Sequence, residues 1–276
     1  LTTRLAPRVL EAKGGGFLQG CREMELRSLD PEDAVRFFAA QGIRGTPAEI
    51  QAACAPYGYH PLSLRLLSGL VAGDLQRPGD IAVAAELDIS GDLIQRQNHV
   101  LRVAYDSVTP ARQRLLGRIA CFRSPMPYAA IRALAESDDA ADAKHVLDGD
   151  LSDLLARNLL HQDRVNARFD LHPIVRRYAY DRLAQSDRNA THHSLCNYFE
   201  ATPVPEKIAR LDDLSSVVEL CHQMVRAERF DDAHHLYAGR LHKVLFFRFG
   251  AYQFCVDILR ELLPQNDSGW PPAEEK

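Results

Sequence analysis

The chain has 276 residues, 46% of them hydrophobic and 25% charged, with a net charge of −4. That length accommodates two or three small domains with real cores, and the charge balance offers nothing that would draw a polyanion. The six cysteines (21, 54, 121, 196, 221 and 255) stand singly, without a C-x-x-C pair. They point away from a disulfide framework or zinc ribbon and towards a reducing, cytoplasmic setting. No apolar run approaches the ~20 residues that cross a bilayer, so no membrane partner is expected.

Residues 1–28 read as the end of a larger sheet. Thr2-Thr3-Arg4 would close a strand, Lys13-Gly14-Gly15-Gly16 forms a loop, and Arg22 to Leu26 suits a short strand. Because the chain opens on Leu1 inside what reads as a motif, it is expected to be a fragment with more sequence upstream. Asp30-Pro31-Glu32-Asp33 starts a helix, with a cap, a proline in the first turn and acidic residues beside it. Thr46-Pro47-Ala48-Glu49 is a capping-box start. His60-Pro61 precedes a helix crowded with Leu62, Leu64, Leu66, Leu67 and Leu70, and Arg77-Pro78-Gly79-Asp80 breaks the pattern. Residues 29–89 thus predict a small helical bundle.

Residues 90–185 carry four helical segments, around Leu101–Val108, Leu115–Ala120, Ile131–Leu134 and Leu147–Leu159. Next come a short apolar strand at 158–162, a polar turn, a returning strand at 168–171 and a helix from Pro173. Strand, turn, strand and helix after a helical segment is the wing of a winged helix. Residues 186–276 are helical again. The linker Thr202-Pro203-Val204-Pro205 is followed by segments near 211–226, 230–245 and 250–263, and the tail from Pro264 is expected to fray. Arg229 to Tyr237 resembles the start of a tetratricopeptide-type helix, although its offset from the next such start is 22 residues, against about 34 for that repeat.

Several chemistries find no support. His192 and Cys196 lie one helical turn apart, but no ligand spacing accompanies them, and Cys196 reads as core beside Leu195 and Phe199. Residues 91–185 hold 14 basic and 12 acidic side chains, and the helix in the recognition position carries Asp148, Asp150 and Asp153. DNA phosphates would meet repulsion there. No nucleophile–base–acid arrangement is legible. No G-x-x-x-x-G-K-[ST] loop occurs either, because Gly14-Gly15-Gly16 is followed by Phe17-Leu18.

Four motifs fall in one order: Thr2-Thr3-Arg4; Gly58-Tyr59-His60-Pro61-Leu62; Ala104-Tyr105-Asp106-Ser107-Val108 with Arg114-Leu115-Leu116; and Leu171-His172-Pro173. The order resembles the STAND class of signalling NTPases, in its NB-ARC branch, over residues 1 to about 185. The resemblance implies a mainly α chain: the end of an α/β NTPase domain, a helical bundle, a winged helix with a hairpin wing and the start of a helical repeat. It implies that Arg4 is a sensor of the γ-phosphate, for which a permanently charged, planar guanidinium is suited. It implies that Pro61 packs on adenine and that His172 donates to the β-phosphate of ADP. The family's glycine two places before the proline is here Tyr59, with Gly58 one residue earlier, and Leu-His-Pro stands where plant members carry Met-His-Asp.

The function expected on this basis is an ADP/ATP-dependent signalling switch using Mg²⁺. It would regulate homo-oligomerisation, be a slow ATPase when complete and be inactive as this chain alone. Its C-terminal helices would bind protein partners. The alternatives are a transcriptional regulator of the same architecture and a helical interaction scaffold without nucleotide.

Overall fold

The computed structural model describes residues 18–21, 28–87, 89–134, 140–205 and 207–262, with the backbone alone at 140–143. Thr2-Thr3-Arg4, the Gly14–Gly16 run, the strand expected at 22–26 and the tail from Pro264 lie outside these residues.

The described chain is mainly helical. In its first third, α1 (Pro31–Ala40), α2 (Pro47–Cys54) and α3 (Pro61–Ala72) pack together. Each has proline in its first turn, where the missing N–H is no loss. Thr46 and Glu49 form a full capping box on α2, with the Thr46 amide donating to Glu49 Oε2 at 2.7 Å. Asp30 holds the N-cap position of α1 without a side-chain capping bond. Phe38, Cys54, Leu64, Leu67 and Val71 are fully buried between the helices.

Next come α4 (Leu93–Asp106), α5 (Pro110–Ile119), a two-residue strand β1 (Met126–Pro127), α6 (Tyr128–Arg132) and α7 (Ala140–Ala156). A hairpin of β2 (His161–Asp163) and β3 (Arg168–Asp170) follows, then α8 (Pro173–Arg182). All pairings are antiparallel and the sheet order is β1-β3-β2, so β1, too short to show in the sequence pattern, closes against the hairpin. The expected hairpin is present, with β2 placed slightly later than the apolar run suggested. Asp163 organises its turn by accepting from the amides of Val165 at 2.9 Å and Asn166 at 3.3 Å.

One continuous hydrophobic core runs from Ala34 to Leu195, across the junction near residue 90. The contact that fixes this continuity lies between α3 and the turn after α7. An added Cβ on Gly69 would sit 2.9 Å from the Arg157 Cα and closer still to its carbonyl, so only glycine permits the approach. Asn158, in the left-handed region at φ 58°, donates to the Arg65 carbonyl at 3.1 Å and lies 3.2 Å from Ser68 Oγ.

The long α9 (Gln185–Glu200) leads to a second core, built by α10 (Ser215–Arg226), α11 (Phe230–Leu236) and α12 (Tyr252–Leu262). Helical turns at Tyr237–Leu241 and Val244–Arg248 wind with π spacing after α11. Phe199 touches both cores.

Replacing Gly69 by alanine is expected to destabilise the chain by roughly 2–4 kcal/mol, since the backbone it would strike cannot swing aside. Gly149 is a helical position with open space around its Cα. Gly149→Ala is therefore expected to stabilise by about 0.5–1 kcal/mol. Urea unfolding midpoints of the two variants check both signs.

Candidate functional site

His60-Pro61 opens α3 and His172-Pro173 opens α8. A chain of contacts links the elements that carry the two starts. Arg65, one turn into α3, brings a guanidinium nitrogen to 3.3 Å from His161 Nδ1. His161 pairs in register with Asp170, two residues before His172. An arginine only donates, so His161 Nδ1 is the acceptor.

The His172 ring is exposed at the C-terminal end of β3, while its neighbour Leu171 is buried. Its Nδ1 accepts from the Ile174 amide at 3.3 Å, which leaves the imidazole proton on Nε2 when the ring is neutral. The ring is thus both the helix cap and a potential donor to an anion. Pro61 is also exposed. The bend before it uses two successive left-handed residues, Gly58 at φ 59° and Tyr59 at φ 53°. Tyr59 occupies a backbone conformation that favours glycine, and its hydroxyl, 3.3 Å from the Gln51 carbonyl, helps hold it there. Arg4, the third expected site residue, lies outside the described residues.

Other charged groups face inward. Arg176, beside His172, bonds to Asp170 at 2.6 Å and to the Phe122 carbonyl, and burial draws its pKa down despite Asp170. Arg177 is exposed and lies 3.6 Å from Asp181. Of the three aspartates on α7, Asp150 and Asp153 hold Arg112 of α5 at 2.8 and 3.1 Å, and Asp148 accepts from the Tyr128 hydroxyl at 2.7 Å. Asp150 and Asp153 thus knit helices together, while Asp148 stays at the surface.

A second polar assembly, not legible in the sequence, joins α9 and α10 to the segment after α5. Gln223 is fully buried. Its Nε2 donates to the Cys121 carbonyl at 3.0 Å and to Glu219 at 2.8 Å, and its Oε1 lies 2.6 Å from His192 Nδ1. His192 Nε2 in turn lies 3.2 Å from the Tyr180 hydroxyl. Glu219, 5% exposed, accepts from the Arg123 amide at 3.0 Å and the Ser124 hydroxyl at 3.1 Å. Outside this knot, Glu261 of α12 meets Arg123 at 3.0 Å and His222 at 2.8 Å. Burial alone would raise the Glu261 pKa; His222 and Arg123 outweigh it, and the net direction is down. Cys196 is fully buried in the second core, and burial pushes its thiol up to about 11.

No family model and no curated protein matches the chain. Among solved structures it is similar to a Signal Transduction ATPase with Numerous Domains (STAND) protein with a tetratricopeptide repeat sensor, from Pyrococcus horikoshii. The alignment covers 88% of this chain and 36% of that one, at 14% identity and a TM-score of 0.53. The fold is STAND-like, and the chain spans about a third of that protein's length. No helix among the described residues is long and apolar enough to cross a membrane.

Burial pulls the His192 pKa from 6.5 down to about 4, against the upward pull of Gln223. The unfolded chain then takes the proton more readily than the folded one. Stability is complete above about pH 6.5 and is lost as pH falls towards 4, by on the order of 3 kcal/mol. Urea midpoints at pH 7 and 4.5 should show the loss, and His192→Gln should flatten the difference. Equal midpoints for the natural chain would contradict it.

Proposed function

We propose that this chain is the regulatory part of a nucleotide-dependent signalling switch of the NB-ARC kind. In this reading residues 29–89 are the helical bundle, 90–185 a winged helix, and 186–276 the start of a helical sensor. The helix–strand–helix–helix–hairpin order with sheet order β1-β3-β2 supports the middle assignment. The observation that carries the functional reading is the linkage between the two helix starts. An exposed imidazole with its donor on Nε2 and an exposed proline at a helix start are tied together through Arg65, His161 and Asp170.

These residues fit the periphery of an ADP or ATP site. Pro61 offers a rigid apolar wall and His172 a donor for a phosphate oxygen. The loop that cradles the phosphates and the groups that hold Mg²⁺ must come from outside residues 1–276, since no such loop occurs in the sequence. ADP held by both residues would favour a resting arrangement, and its replacement by ATP would shift the population towards an oligomerising one. The C-terminal helices would receive a protein signal and pass it through the Gln223 knot to the winged helix. The winged helix then acts as a clamp within the protein in a cytoplasmic setting, without binding DNA; its near-neutral charge supports this.

In the complete protein, His172→Ala is expected to speed ADP release by about tenfold, equivalent to about 1.4 kcal/mol. Asparagine caps helices well, so His172→Asn should keep the α8 start while losing the reach to phosphate. Faster release in the asparagine variant at an unchanged melting temperature separates ligand binding from capping. Unchanged release in both would reduce His172 to a cap. Residues 1–276 alone are expected not to hydrolyse ATP, checked by phosphate release.

A further inference from the structure

A second cleft lies away from the nucleotide edge. It has a volume of ≈ 470 Å³ and lies between α4 and the C-terminal end of α8, where Gln95, Asn98, His99, Arg102, Tyr178 and Arg182 line it. His172 caps the opposite end of the ten-residue α8, roughly 15 Å away along the helix at 1.5 Å per residue.

The cleft is rich in donors, with two arginines among its lining side chains. Arg102 brings a guanidinium nitrogen to 2.8 Å from His99 Nδ1. Since arginine only donates, His99 accepts through Nδ1, and a neutral ring carries its proton on Nε2. Gln95 uses its Oε1 to accept from the Asp92 amide at 2.9 Å, which leaves the amide nitrogen as its remaining polar end. The Arg182 guanidinium lies 3.4 Å from the centre of the Tyr178 ring, fixed there by cation–π attraction. Beneath it the Tyr178 hydroxyl is occluded, with no hydrogen-bond partner among the described residues. Burial raises the pKa of this hydroxyl, Arg182 and Arg102 lower it, and Asp106 is the carboxylate that faces it.

We propose that this cleft binds a small phosphorylated anion. Two guanidiniums approach from different helices, which gives planar, charge-assisted donation to phosphate oxygens. His99 and Asn98 supply neutral donors beside them. Asp106 stands at the end of α4 and sets a limit on the charge the cleft holds. Its size falls in the range of small-molecule sites. Because α4 and α8 both belong to the region proposed as the winged helix, such a ligand would brace that region independently of any nucleotide.

Titration calorimetry with sodium pyrophosphate on the 276-residue chain, at constant ionic strength in sodium chloride, tests the site. Saturable one-site binding is expected, weakened about tenfold by Arg102→Ala and by Arg182→Ala, and less by the lysine variants, which keep charge but lose the planar fork. Arg102 is an exposed arm, so its alanine variant keeps the test decisive if the Arg182 variant unfolds. Absence of saturable binding, binding unaffected by the double alanine variant, or binding lost instead in His172→Ala would each overturn the proposal. So would capture of a polyaspartate peptide with no binding of pyrophosphate.

Discussion

The backbone of α3 at Gly69 lies against the Arg157 carbonyl with no room for a single methyl group between them. A side chain there would push α3 away from the end of α7, and the hairpin starts four residues after Arg157. The close approach lets Asn158 bond back to the Arg65 carbonyl and lets Arg65 reach His161. Through the β2–β3 register it also sets where His172 stands relative to the start of α3. Interiors are close-packed and transmit such a constraint with little give.

The second joint is polar where the first is steric. Gln223 and Glu219 bury amide and carboxylate groups at the boundary of the two cores, and the partners come from backbone and side chains of the segment after α5. A buried polar group left unpaired is costly, so a network of this kind tolerates few alternative arrangements. The C-terminal helices are thereby registered on the hairpin region by specific bonds as well as by apolar contact. Removing Gln223 would leave the Cys121 carbonyl without its donor and take one partner each from Glu219 and His192.

Much of the local structure was legible. Thr46 with Glu49, read as a capping box, sits where its side chains close the first turn of a helix. The hairpin showed through Asp163 and Asn166, and Leu171-His172-Pro173 showed where a strand yields to a helix. Other residues read differently in three dimensions. Asp150 and Asp153 looked like an acidic surface and are the partners of Arg112. Arg176 looked like a cation beside His172 and is spent on Asp170 and the Phe122 carbonyl. Glu219 and Gln223 drew no notice because nothing near them in the chain predicts their burial, and His192 was read only against Cys196.

The sequence by itself determined the elements: the helix starts, the hairpin and the largely α-helical character. These depend on bonds between residues three or four apart, whose chemistry is written in adjacent letters. The tertiary structure alone decided which polar side chains face inward and that Arg65 of α3 reaches His161 of the hairpin. Those outcomes rest on pairs such as Arg123 with Glu219 and Cys121 with Gln223, separated by 96 and 102 residues. At that separation a partner is chosen by how whole helices pack, and packing depends on the summed shape of every buried side chain rather than on any local pattern.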